Sequence, residues 1–216
     1  MLGNHSRSDR TLIVSSVDTG KPKLGIGSCL AGQAVRYDGQ ANAANNAVRA
    51  ICEQFDVQAF CPEVGIGLGV PRPPIHLVGE TSQLRVLDVA THEQDYTEAI
   101  AGYAATVLTQ APDLCGYILV KGSPSCGFER VKRFNHRGTI VAHDARGMFA
   151  SALADLDPLI PLEDDWRLND PALRESFVAR ARAYHQWRQL GDTGITAAAL
   201  IDFYSRHKYL VMAHHV

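Results

Sequence analysis

From Lys23 onward, short apolar runs alternate with amphipathic stretches, and this alternation predicts the secondary structure. Lys23–Cys29 (KLGIGSC) predicts a buried strand ending in small residues. Ala43–Phe55 sets Val48, Ile51, Cys52 and Phe55 at helical spacing, which gives a helix one apolar face. Val57–Cys61 (VQAFC) predicts a second short strand, and the Gly/Pro-rich stretch Pro62–Pro74 predicts a loop. Ile75–Gly79 and Leu84–Val89 predict a hairpin that turns at Glu80–Gln83. Tyr96–Leu108 predicts a helix, with Asp113 and Gly116 marking the exit. Gly116–Lys121 (GYILVK) is strongly β-prone and breaks at Gly122–Gly127 (GSPSCG), which predicts a loop. A further short helix is predicted from about Asp144.

After Pro161 the texture changes. Asp170–Gln189 and Ile195–Val216 read as two helices with no strand between them, joined by Gly191–Gly194. Asp170 followed by Pro171 is a cap and an N1 proline. The second run reaches Val216 without a cap, as expected of a chain cut inside an element or of a frayed end. Strands alternating with helices predict an α/β fold: a mostly parallel sheet with helices on both faces, then a C-terminal helical segment. The expected organisation is a flexible polar tail over 1–22, a principal domain over 23–160, and a helical linker over 161–216 that opens a truncated accessory domain.

Ligands of parallel sheets bind beyond the carboxyl ends of the strands. Cys29, Cys61 and Cys126 each stand at or just past such an end, whereas Cys52 and Cys115 do not and are expected in the core. Five cysteines with no secretory signal argue against a disulfide framework, and the lack of a CxxC pair removes the usual zinc signature. Lys+Arg 21 against Asp+Glu 23 gives no global attraction to nucleic acid, so a polyanion contact needs a local patch. No apolar stretch reaches the roughly 20 residues of a membrane helix, so a cytoplasmic protein without a membrane partner is expected.

Three motifs carry the chemistry. Ser28-Cys29-Leu30 is followed by Arg36-Tyr37-Asp38-Gly39, and Cys61-Pro62-Glu63 by Gly65, Gly67, Gly69 and Pro71-Arg72-Pro73. The third is Lys121-Gly122-Ser123-Pro124-Ser125-Cys126-Gly127. Each frames a cysteine with rigid backbone, little bulk and N–H donors, which iron–sulfur clusters need because hydrogen bonds to sulfur tune them. A zinc or redox-sensing module fits the wide cysteine spacing poorly.

In this order the motifs resemble the thiouracil desulfidase family over about Leu24 to Gly147. With Ser205–His214 (SRHKYLVMAH), which is similar to the opening of an accessory domain, the chain looks most like the two-domain members acting on 4-thiouridine in transfer RNA. The resemblance implies a [4Fe-4S] cluster held by Cys29, Cys61 and Cys126, with the fourth iron open to the thiocarbonyl sulfur. It also implies Glu63 and Ser123 as the catalytic polar pair. Substrate is then thiolated tRNA or a free thiolated pyrimidine such as thiouracil; another open-iron enzyme, such as a hydro-lyase, is the competing class.

Arg36, Asp38 and Arg72 read either as substrate contacts or as pairs that hold the loops together. Arg130, Lys132, Arg133, His136 and Arg137 read as phosphate contacts or as a solvated turn. Arg206, His207 and Lys208 make a basic helix surface, better suited to an interdomain contact than to RNA. No HxH or HExxH pattern occurs, and His214-His215 is too thin to suggest a metal site.

Overall fold

The computed structural model describes residues 20–42 and 44–213. The predicted tail therefore lies outside the described residues up to position 19, as do Ala43 and His214-His215. The principal sheet has the strand order β2-β1-β5-β8, built from β1 (Lys23–Gly27), β2 (Asp56–Phe60), β5 (Leu114–Leu119) and β8 (Leu162–Asp164). All its pairings are parallel. Every residue of β5 is buried, as a run with no polar alternation requires.

Helices cover both faces of this sheet. On one face a missing side chain at Gly116 lets Phe177 of α5 (Pro171–Thr193) come close to the strand. On the other face Tyr117 meets Phe149 of α4 (Met148–Leu156) edge to face, with ring centroids 5.4 Å apart. Tyr117 lies over Gly25 of the neighbouring strand, where a Cβ would sit 2.3 Å from the ring. The fold class is α/β, with a mostly parallel sheet and a C-terminal helical segment.

A second sheet, of order β4-β3-β6-β7, adds what the hydrophobic pattern did not reveal. The expected hairpin is present as β3 (Ile75–Val78) and β4 (Arg85–Asp88), paired antiparallel. Its turn needs Gly79, which has φ 114 and leaves no room for a Cβ beside the Gln83 carbonyl. The basic stretch after the third motif is also a hairpin and not a solvated turn alone: β6 (Val131–Phe134) pairs with β7 (Ile140–Ala145). Asp144 consequently belongs to a strand, and the helix expected there starts at Met148.

Two expected helices shift only at their ends, α1 to Asn46–Cys52 and α3 to Thr97–Gln110, whereas the single turn α2 (Pro62–Gly65) forms where a loop is expected, because Pro62 suits the first helical position. Asn45 caps α1 through its side chain, which accepts the Val48 N–H at 2.9 Å. Asp170 caps α5 in the same way, and that helix runs through Gly191 to Thr193. Gly194, at φ 90, then breaks it before α6 (Ala197–Ala213). The two last helices meet through Trp187 and Phe203, and His207 faces Gln186 of α5 at 2.9 Å. Arg206 is paired with Asp202 on its own helix. No helix among the described residues is long and apolar enough to cross a membrane.

Candidate active site

The carboxyl ends of β1, β2 and β5 lie side by side in the sheet, so the loops that leave them share one edge. Ser28 N–H donates to the Phe60 carbonyl at 2.9 Å, which ties the exits of β1 and β2 together. Cys29 opens the turn after β1. Cys61 follows β2 and is the N-cap of α2, with Pro62 at the first helical position. Cys126 closes a tight loop after β5, in which Val120 N–H donates to the Cys126 carbonyl at 3.2 Å.

That third loop is locked by α4. Met148 N–H donates to the Pro124 carbonyl and Phe149 N–H to the Ser125 carbonyl, which satisfies helix donors that lack an intrahelical partner. Gly147 permits the approach, since a Cβ there would lie 2.4 Å from the Ser125 carbonyl oxygen.

Cys29, Cys61 and Cys126 line one cavity of about 300 Å³, together with Arg36, Tyr37, Glu63, Arg72, Lys121, Ser123 and Ser125. Burial pushes all three thiols up. Cys29 reaches about 11, raised further by Cys61 and lowered by Arg36. Cys61 is raised by burial, with partial relief from the Val64 N–H. Cys126 stands well above the ordinary thiol range through burial, then through Cys61, Glu63 and Cys29. Each cysteine thus lies within electrostatic reach of another, and Cys126 senses both.

A polar chain runs along one wall. Arg72 Nε and Nη2 donate to Glu63 Oε2 at 2.8 and 2.7 Å, and both side chains are largely buried, at 6% and 13% exposed. Arg72 Nη1 donates to the carbonyls of Val35 and Gly69, at 2.9 and 3.2 Å, so its guanidinium joins the first and second motif loops. Ser125 Oγ donates to the other Glu63 oxygen at 2.6 Å and lies 3.1 Å from Ser123 Oγ. Ser123 Oγ in turn accepts the Cys126 N–H at 3.0 Å.

Of the residues proposed from sequence, the cavity gathers the three cysteines, Glu63, Ser123, Arg36 and Arg72. Asp38 is not among its lining; it accepts the Gln40 N–H at 3.0 Å and meets Arg36 only at 3.8 Å. Arg130, Lys132 and Arg133 do not reach the cavity. Arg130 sits at the entry to β6 with φ 55, and Lys132 lines a separate groove with His76 and Phe134. Arg133 is engaged by Asp144 at 3.0 Å and Glu80 at 3.1 Å. Cys52 and Cys115 are buried elsewhere, Cys115 with its thiol donating to the Lys23 carbonyl.

Ser125, Tyr37 and Lys121 lie in the quoted motifs but were not singled out as site residues. For Ser125 the signal was its place beside Cys126, but residue order alone does not tell which of two serines turns toward Glu63.

The donor set suits an iron–sulfur cluster. No three His, Cys, Asp or Glu side chains among the described residues group as a single metal ion would require. A cluster spreads its thiolates over different irons and does not need them to converge on one point. Backbone N–H groups beside the thiols, of Leu30 at Cys29 and of Val64 and Glu63 at Cys61, favour the thiolate form that such a group binds.

A solved [4Fe-4S]-dependent thiouracil desulfidase, TudS, is 33% identical, with a TM-score of 0.57 over 72% of this chain and 99% of its own. The uncharacterized protein YbbK of Bacillus subtilis (strain 168) is 33% identical over 109 residues, which span 47% of this chain and 71% of the relative. The model of 2-thiouracil desulfurase matches residues 24–165, from the second residue of β1 to the residue after β8. By that match over most of its length, the chain belongs to the 2-thiouracil desulfurase family.

Proposed function

We propose that this protein removes sulfur from a thiolated pyrimidine without redox change, using a [4Fe-4S] cluster held by Cys29, Cys61 and Cys126. The observation that carries the reading is the convergence of three thiols from three strand ends on one cavity that also holds a fixed carboxylate, Glu63. When bound, the cluster supplies Lewis acidity for the thiocarbonyl sulfur at the one iron without a protein ligand. Water replaces sulfur at the ring carbon, so 4-thiouracil and water become uracil and hydrogen sulfide.

The chain's own residues orient and move protons. Arg72 and Ser125 fix the two oxygens of Glu63, leaving the carboxylate one geometry from which to take a proton from water. The contacts between Ser125 and Ser123 extend the relay to a second hydroxyl beside Cys126, the place from which a ring nitrogen or the departing sulfur receives a proton. Acid–base help of this kind contributes roughly 10²–10⁴-fold. Burial of the cavity floor limits competing water and strengthens these contacts.

The substrate in this reading is 4-thiouridine in transfer RNA, with Arg36 as a phosphate or ring-carbonyl contact. Desulfuration of free thiouracil is the second reading, favoured by the thiouracil desulfidase to which the chain is similar. The test is to purify the protein without oxygen, supply 4-thiouridine, thiouracil and thiolated tRNA in turn, and follow the thiocarbonyl absorbance. Loss with at least one is expected. No loss with any of them contradicts desulfuration and points to the hydro-lyase class; a colourless protein with tightly held zinc contradicts the cluster itself.

A further inference from the structure

One exposed aromatic side chain lines the cavity and a second is held against a lining residue, each with a cation on it. Tyr37 lines the cavity and is 44% exposed, and Arg36 Cζ stands 5.9 Å from its ring centroid. Lys121 also lines the cavity and holds its ammonium 3.7 Å from the centroid of Trp166, which is 60% exposed. An exposed indole is an unusual use of the side chain with the most apolar area to bury.

The backbone that carries Trp166 is anchored. The Trp166 main-chain N–H donates to Asp164 Oδ1 at 3.0 Å at the end of β8, and the preceding Asp165 accepts the Lys121 main-chain N–H at 2.8 Å. The Lys121 ammonium rests on the indole, and Arg36 meets its carboxylate, Asp38, only at 3.8 Å. An exposed aromatic face with a cation beside it is how proteins hold single-stranded nucleic acid: the ring stacks on a base and the cation meets a phosphate. Neither pair is needed to hold the thiols.

We propose that Trp166 with Lys121 and Tyr37 with Arg36 form a stacking rim for the nucleotides flanking the reacting base. The proposal rests on the reading that the cavity desulfurates a thiolated pyrimidine. That base enters the cavity turned out of its stack, and the rim replaces the stacking its neighbours lose.

The experiment uses the cluster-loaded protein carrying W187F, which leaves Trp166 as the only tryptophan. A short oligouridylate is titrated in while fluorescence is read at rising salt. Quenching that weakens with salt is expected, and W166A, followed by anisotropy of labelled RNA, binds about tenfold more weakly. W166F recovers part of that loss. In turnover, W166A lowers kcat/KM for an oligouridylate bearing one 4-thiouridine at least tenfold more than for free 4-thiouracil. Absence of quenching, or equal losses on both substrates, overturns the rim. If the oligouridylate quenches Trp166 but neither thiolated compound is desulfurated, the reaction reading fails while the rim stands.

Discussion

Glu63 and Arg72 form a buried two-point pair, with Arg72 Nε and Nη2 at 2.8 and 2.7 Å from the same carboxylate oxygen. The pair connects the helix turn after Cys61 to the loop that carries Tyr37, whose carbonyl accepts the Arg72 N–H at 2.9 Å. Removing one partner of a buried pair leaves the other charge without compensation, at about 3–5 kcal/mol. Arg72→Ala is therefore expected to lower unfolding free energy by roughly 3 kcal/mol, and Arg72→Lys to recover only part of it because the fork is lost. Urea unfolding of the cluster-free protein measures both. Near-wild-type midpoints would show that the pair is not structural.

Substitutions of Glu63 and Ser125 test whether catalysis separates from cluster binding. Glu63→Ala is expected to keep its iron and slow turnover by about 10²–10⁴-fold. Ser125→Ala removes the 2.6 Å hydrogen bond to Glu63 and is expected to slow turnover about tenfold, since a hydrogen bond to a charged group contributes about 1.5–3 kcal/mol. Iron content and kcat on 4-thiouracil, measured on the same preparations, check this. A Glu63→Ala protein with full rate would remove Glu63 from the chemistry.

Gly25 and Tyr117 set the thickness of the sheet beneath the site. A methyl at position 25 would press on the ring of a fully buried tyrosine. Gly25→Ala is expected to cost about 1–3 kcal/mol of stability through overpacking. Thermal unfolding measures it, and an unchanged midpoint would mean that the ring moves aside freely.

Three strands of the principal sheet and the cysteines at their ends were legible because these strands are buried and read as apolar runs, GYIL of β5 above all. The second hairpin was not. Val131, Lys132, Arg133 and Phe134 include two cations, and β7 is largely exposed, so neither strand shows the expected alternation. The last strand, Leu162–Asp164, is hidden for another reason. Two of its three residues are carboxylates, which are rarely buried, and Glu163 is stabilised there by Arg167 at 2.7 Å. Arg72 and Arg133 show the same limit at the side-chain level: their partners are fixed by loops and sheets distant in sequence.

Cys52 and Cys115 give a pH signature separate from the site. Burial pushes both thiols up to about 12 from an ordinary 9.0. A group whose folded pKa is raised contributes stability that is complete below the unfolded value and is lost as pH rises through the folded one. The cluster-free protein is thus expected to lose stability from about pH 9 toward 12, and C52A/C115V to fall less steeply. Denaturant midpoints across that window check the slope; identical slopes would mean that other groups set the alkaline limit.

In the proposed cluster, three thiolates on four irons would leave one iron unlike the others, and Mössbauer spectroscopy of anaerobically reconstituted, iron-57-labelled protein reads that difference directly. The account predicts about four irons per chain, one of them distinct, with that one alone shifting when 4-thiouracil is added. Four equivalent irons, or a spectrum unmoved by 4-thiouracil, would contradict it.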